Sequence, residues 1–255
     1  MSRDRGSRAP RSAVFDTDGV LLDSAVVHAR AWKSAFDPCL TRWGGEHSGQ
    51  PPFDVEAEYR RYVDGRPRYD GAEAFLAARG LALPPGEPGD PPGCDTVWAV
   101  AARKEQAFTE LLAAGGAPVY ADTVPALQAL RTAGVPCAAV SASRHARALL
   151  NAHALDRFFA ALVDGVDAAR LHLPGKPDPA LFLHAAAVLG SRPEETAVVE
   201  DAQAGVRAAH RGGFGLVVGV DRTPDRRATA PLREQGADLV VPDLQTLAMT
   251  VWGPA

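Results

Sequence analysis

Apolar runs without polar alternation recur along this chain: "SAVFD" (12–16), "PCAAVS" (136–141), "ALVD" (161–164), "TAVVE" (196–200), "GLVVGV" (215–220) and "ADLVV" (237–241). Successive side chains of a strand point to opposite faces, so a strand that is apolar at nearly every position has both faces covered. From the second run onward the strands are separated by "ADTVPALQALRTAG", "SRHARALLNAHAL", "DPALFLHAAAVLG" and "DAQAGVRAAHRGG". These segments repeat apolar residues at three- and four-residue spacing and often end in Gly, as helices do. Strands alternating with such helices predict a doubly wound, Rossmann-like α/β domain around a parallel sheet.

Between the first and second runs lies a gap of more than a hundred residues, too long for one crossover helix. Helical spacing recurs inside it, in "SAVVHARAWKSAF", "DVEAEYRRYV", "GAEAFLAARG" and "VWAVAARKEQAFTELLAAG". We therefore expect an inserted α-helical cap domain over residues 25–117, with residues 1–24 and 118–255 forming the α/β core. The stretch "PPGEPGDPPG" (84–93) has eight Pro or Gly in ten positions. It reads as a loop, a surface connection rather than a lid.

Composition narrows the picture only a little. The 255 residues are 46% hydrophobic and 23% charged, with a net charge of −4, which suits a globular protein and gives no reason to expect nucleic acid as a partner. No apolar stretch approaches the roughly 20 residues of a membrane span. The Arg-rich opening "MSRDRGSRAPRSA" reads as a solvated tail rather than a signal peptide. Cys39, Cys94 and Cys137 are odd in number and form no C-x-x-C pair, so a reducing, cytoplasmic location is expected and no zinc knuckle is visible.

The candidate chemistry comes from asking what each strand delivers at its carboxyl end, where open α/β sheets bind ligands. The first delivers Asp16 and Asp18 in "VFDTDGVLLDS", the second Ser141, and the fourth Glu200 and Asp201, while "GKPDP" places Lys176 in the loop before a helix. Two like charges as close as Asp16 and Asp18 repel by about 4 kcal/mol at an effective dielectric near 20. The four carboxylates carry −4 when ionised and Lys176 returns +1. A hard divalent cation offsets the imbalance, and oxygen ligands without clustered His or Cys select Mg²⁺. The residual −1 would still repel a phosphate dianion, which points to one acid holding a proton as a donor. Asp23 and Ser24 read as caps of the first helix of the insertion.

In order and position, "DTDGV" (16–20), Ser141 of "VSAS", Lys176 of "GKPDP" and "EDAQAG" (200–205) resemble the four motifs of the haloacid dehalogenase superfamily. Within it, "DSAVVHARAWK", "VSAS" and "VEDAQAG" are similar to the β-phosphoglucomutase branch. The resemblance implies that Asp16 attacks phosphorus and becomes an aspartyl phosphate. It implies that Asp18 is general acid and base, and that Gly19 lets the backbone turn so that amides reach the phosphate. Ser141, Ala142 and Lys176 would bind the transferring phosphoryl group, and Mg²⁺ would be held by Asp16, Asp18, Glu200 and Asp201.

For the acceptor, the resemblance implies a β-phosphoglucomutase converting β-D-glucose 1-phosphate to glucose 6-phosphate, with β-glucose 1,6-bisphosphate as activating intermediate. His28 would meet the sugar, Lys104 would line its pocket, and Arg68, Ser143 and Arg144 would grip the distal phosphate. The chain departs from that branch at His145, where Asn is common, and in "DGRPRYDG", which matches the specificity loop loosely. Two alternatives stand beside the mutase: a sugar-phosphate phosphatase using water as acceptor, and a non-catalytic partner-binding module. The expected partner is a phosphorylated sugar, with no nucleic acid or membrane, and the expected state is a monomer.

Overall fold

The computed structural model describes residues 9–44, 50–63, 66 and 68–253; the segment read as a solvated tail lies, up to residue 8, outside them. The chain divides into two units, Ser24–Ala117 and Met1–Asp23 with Pro118–Ala255.

The inserted unit is helical. Its helices are α1 (Ser24–Gly44), α2 (Arg68–Ala78) and α3 (Val97–Gly115), and α1 packs most closely on α3. An aromatic cluster fills the interior: Phe36 lies 4.0 Å from Phe75 and 4.9 Å from Trp32 between ring centroids, with Phe53 and Tyr59 around them. The segment expected as a helix from "DVEAEYRRYV" is a short helix, begun at 57–58 and widened to a π-helical turn over Tyr59–Val63. The Asp54 carboxylate takes the amides of Glu56 and Ala57, and the Tyr59 amide reaches back five residues to the Asp54 carbonyl. The Asp54 side chain caps the start of this short helix, and the five-residue reach gives it its π turn. The Pro- and Gly-rich stretch 84–93 is free of helix and strand, and α3 opens just after it with Thr96 capping the Ala99 amide.

The cysteine reading is corrected here. Cys39 of α1 and Cys94 form a disulfide with Cα atoms 5.3 Å apart, and Cys137 is a buried free thiol. The bond ties α1 to the end of the Pro- and Gly-rich loop across 55 residues of sequence, a pairing that spacing alone does not announce.

The second unit is a six-stranded, wholly parallel sheet in the order β3-β2-β1-β4-β5-β6. Its strands are β1 (Ser12–Asp16), β2 (Cys137–Val140), β3 (Ala161–Val163), β4 (Thr196–Glu200), β5 (Leu216–Val220) and β6 (Leu239–Val241). The helices are α4 (Thr123–Thr132), α5 (Ala146–Ala152), α6 (Gly165–Arg170), α7 (Ala180–Val188), α8 (Gln203–Arg211), α9 (Thr229–Glu234) and α10 (Leu244–Trp252). Each apolar run of the sequence has become a strand. Val14, Val140 and Val198 face a core shared with Leu181 and Phe182 of α7 and Val206 of α8. Their neighbours Ala13, Phe15, Ala139 and Val199 are equally buried, so both faces of the sheet are covered, as unalternated strands require.

The order makes β1 the strand at which the winding reverses, and the crevice at its carboxyl end is where such sheets place ligands. The chain departs through the turn 17–23 and returns at 118–120. Leu22 bridges Val119, the Asp23 amide donates to the Pro118 carbonyl (2.8 Å), and the Tyr120 amide donates to the Leu21 carbonyl (3.2 Å). Among the described residues no helix is long and apolar enough to cross a membrane.

Candidate active site

Asp16 is the last residue of β1 and is buried. Beyond it the chain folds back tightly. The Thr17 hydroxyl donates to the Val140 carbonyl, the Leu21 and Leu22 amides donate to the Thr17 carbonyl, and the Gly19 amide donates to the Leu22 carbonyl at 2.8 Å. Gly19 sits at φ 77°, and a Cβ there would lie 1.9 Å from Oδ2 of Asp201. Glycine is therefore required twice, for a left-handed backbone and for the carboxylate that presses on it. The Gly19 N–H itself is spent on closing this turn.

Asp18 is placed by Ser141, whose hydroxyl donates to Oδ2 of Asp18 at 2.8 Å while accepting from the Ser143 amide at 3.0 Å. The strand end delivers Ser141 directly, through its amide on the Val163 carbonyl. Ala142 is exposed beside it, and its carbonyl abuts Gly165, where a Cβ would lie 2.4 Å away. Ser143 holds the same loop through its hydroxyl, which accepts from the His145 amide, and through its carbonyl, which accepts from Gly165. Arg144 is exposed on that loop.

Lys176, in the loop preceding α7, bridges two acids: its Nζ donates to Oδ1 of Asp16 and to Oε1 of Glu200. The second Glu200 oxygen accepts from the Ala202 amide at 2.7 Å. A Cβ at Gly205 would lie 1.7 Å from Glu200 Oε1, so α8 can approach this buried carboxylate only because it carries glycine there. Burial pushes the Asp16 carboxyl up to about 8; Lys176 opposes that rise, and Glu200 and Asp18 add to it. Burial also works against the Lys176 ammonium, but Asp16 and Glu200 outweigh it and hold the group above the ordinary lysine range.

The expected metal shell is Asp16, Asp18, Glu200 and Asp201. Among the described residues no group of three or more His, Cys, Asp or Glu side chains forms a ready-made ligand cluster. Glu200 has both oxygens engaged and serves as the counter-ion of Lys176. The Asp201 carboxylate lies against Gly19, and the Asp16 carboxylate meets Lys176 at the β1 exit. Both offer hard oxygens only, a donor chemistry that fits Mg²⁺.

The helical unit holds the residues expected to meet the sugar. His28 stacks on Phe108 with ring centroids 4.1 Å apart. The buried Lys104 lies over Phe108 at 4.2 Å and over Trp32 at 5.9 Å. Arg68 opens α2. It pairs with Glu105 at 2.6 Å and lines a separate groove of about 450 Å³ with Trp98 and Gln106.

Sequence reasoning passed over Gly205, although a small residue five places after Glu200 in "EDAQAG" was the available signal. It also passed over Arg222, which the rule applied to the other strands would have found at the end of β5.

Comparison with known proteins bears on the same residues. A family model for haloacid dehalogenase-like hydrolases matches residues 10–213. A β-phosphoglucomutase of Mycobacterium tuberculosis is 43% identical over 239 residues, covering 93% of this chain and 91% of the relative. A fructose-1-phosphate phosphatase of Escherichia coli is 28% identical over 205 residues, 80% of this chain and 93% of the relative. The crystal structure of a HAD family hydrolase from Deinococcus radiodurans, with bound phosphate and sodium, superposes with a TM-score of 0.71 at 27% identity, covering 97% of this chain and all of that one.

Proposed function

The chain belongs to the haloacid dehalogenase-like hydrolases, and from that premise we propose that it is a Mg²⁺-dependent β-phosphoglucomutase, converting β-D-glucose 1-phosphate to glucose 6-phosphate through an aspartyl phosphate on Asp16. The observation that carries the phosphoryl-transfer part is the bridge of Lys176 between Asp16 and Glu200 at the β1 exit, with Asp18 alongside. The full-length likeness to the mycobacterial mutase supports the choice of acceptor.

Asp16 attacks phosphorus, so that a carboxylate oxygen–phosphorus bond forms as the ester bond to the sugar breaks. Asp18, oriented by the Ser141 hydroxyl, gives its proton to the departing sugar oxygen. In the return half it takes the proton from the hydroxyl that accepts the phosphoryl group. Lys176 already lies on Asp16, so its ammonium reaches an oxygen of any phosphoryl group carried there. Asp16, the Asp18 carbonyl and Asp201 would hold Mg²⁺, which would supply positive charge against the phosphoryl oxygens. Ser143 and Arg144 are the distal-phosphate contacts of this reading on the α/β unit. His28 and Lys104 remain its sugar contacts by resemblance. Arg68 would have to leave Glu105 to grip a phosphate.

A second reading, a sugar-phosphate phosphatase, is supported by the likeness to the Escherichia coli phosphatase and shares every step except the acceptor, which is water. The test is purified protein with Mg²⁺, β-glucose 1-phosphate and a trace of β-glucose 1,6-bisphosphate, following glucose 6-phosphate and free phosphate separately. The mutase yields glucose 6-phosphate without phosphate release. Stoichiometric phosphate release transfers the case to the phosphatase, and neither product, across a panel of sugar phosphates, contradicts both.

A further inference from the structure

Arg222 follows β5 and reaches into the turn that carries the catalytic acids. Its starting point is fixed: the buried Asp221 carboxylate accepts from the Thr223 amide and hydroxyl and from the Thr229 hydroxyl at 2.6 Å. From there the guanidinium donates through Nε to the Gly19 carbonyl (3.2 Å) and through Nη2 to the Val20 carbonyl (2.7 Å). It meets Asp122 in a two-pronged pair, both contacts 3.0 Å. Its flat face lies 3.7 Å from the centre of the Tyr120 ring. Asp122 is held in turn by the Leu244 amide at the start of α10, 2.6 Å away.

The two carbonyls that Arg222 grips belong to the residues immediately after Asp18. Their orientation sets the plane of the peptides on which Asp18 and the Gly19 turn depend, and Gly19 is the residue against which Asp201 rests. A planar fork with several donors in fixed directions can satisfy two carbonyls and a carboxylate at once; a lysine ammonium cannot match that geometry.

We propose that Arg222 is a positioning residue for phosphoryl transfer: by gripping the Gly19 and Val20 carbonyls while paired with Asp122, it fixes the turn that sets Asp18 beside Asp16. The catalytic half of this statement rests on the reading of Asp16 and Asp18 given above; the mechanical half does not. Misplacing a reacting group by about an ångström costs roughly 10²-fold in rate.

The test compares wild type with Arg222→Met, Arg222→Lys and Asp122→Asn by steady-state kinetics and by site-resolved hydrogen exchange. Arg222→Met is expected to lose roughly 10²-fold in kcat with KM unchanged. Arg222→Lys is expected to fail to restore it, and Asp122→Asn, which leaves the carbonyl contacts in place, to lose less. Exchange should accelerate at the Leu21 and Leu22 amides while the amides of β4 and β5 keep their wild-type protection. A wild-type kcat in Arg222→Met, full recovery in Arg222→Lys, or a uniform rise in exchange over the whole sheet would overturn the proposal, the last by reducing Arg222 to a stabilising contact. If wild type transfers no phosphoryl group, the functional reading fails by itself, and the exchange pattern alone then decides whether Arg222 holds the turn.

Discussion

A carboxyl group buried at the end of a strand must hold a proton or be met by positive charge. Asp16 is such a group, and its elevated value of about 8 has a measurable consequence. Its ordinary value is 3.8, so without a divalent cation the folded protein binds a proton at Asp16 that the unfolded chain does not. The associated stability is complete below 3.8 and is lost as pH rises through about 8. Chelator-treated wild type should therefore lose melting temperature over that window more steeply than chelator-treated Asp16→Asn. Saturating Mg²⁺ should flatten the difference, since the cation favours the ionised carboxylate. Parallel pH curves for the two chelated proteins would contradict this account of Asp16. At this scale the acids themselves were legible, because Asp16, Asp18, Glu200 and Asp201 stand at strand ends. The service of Glu200 to Lys176 was not, since the direction of a side chain depends on Gly205 and the Ala202 amide, which only folding brings against it.

The strands were legible because a parallel sheet covered on both faces leaves no polar alternation, and all six apolar runs formed strands. Helical spacing located α1, α2 and α3 in the same way. It also located the helical turn in "DVEAEYRRYV", but not its widening to a π-helix over Tyr59–Val63, since the spacing of apolar residues does not distinguish the two. The Cys39–Cys94 bond was hidden because its partners are adjacent only once α1 and the Pro- and Gly-rich loop have packed. Closing a loop of 55 residues restricts the unfolded chain by about 4 kcal/mol in the chain-entropy model. Reduction, or the Cys39→Ala and Cys94→Ala pair, should lower the melting temperature of the transition reported by Trp32, Trp43 and Trp98 in the helical unit. The chemistry of Asp16 and Asp18, carried by the other unit, should survive in phosphorylation assays at low temperature. Unchanged melting after verified reduction would show that the cross-link does not stabilise this unit.

For the whole molecule, the parallel order places β1 at the reversal of winding, and Asp16, Asp18, Ser141, Lys176 and Glu200 are delivered to its exit by β1, β2 and β4 and by the loop before α7, with Arg222 reaching in after β5. Charge explains why such convergence is not left bare: Lys176 bridges acids that would otherwise repel one another. The proposed function turns on one event, the transfer of a phosphoryl group onto Asp16. That event can be observed directly by mixing wild type with Mg²⁺ and β-glucose 1,6-bisphosphate, quenching in acid within the first turnover, and mapping the peptides by mass. The account predicts one phosphoryl group on the peptide bearing Asp16, absent from Asp16→Asn; a phosphoryl group on any other residue, or retained in that variant, would contradict it.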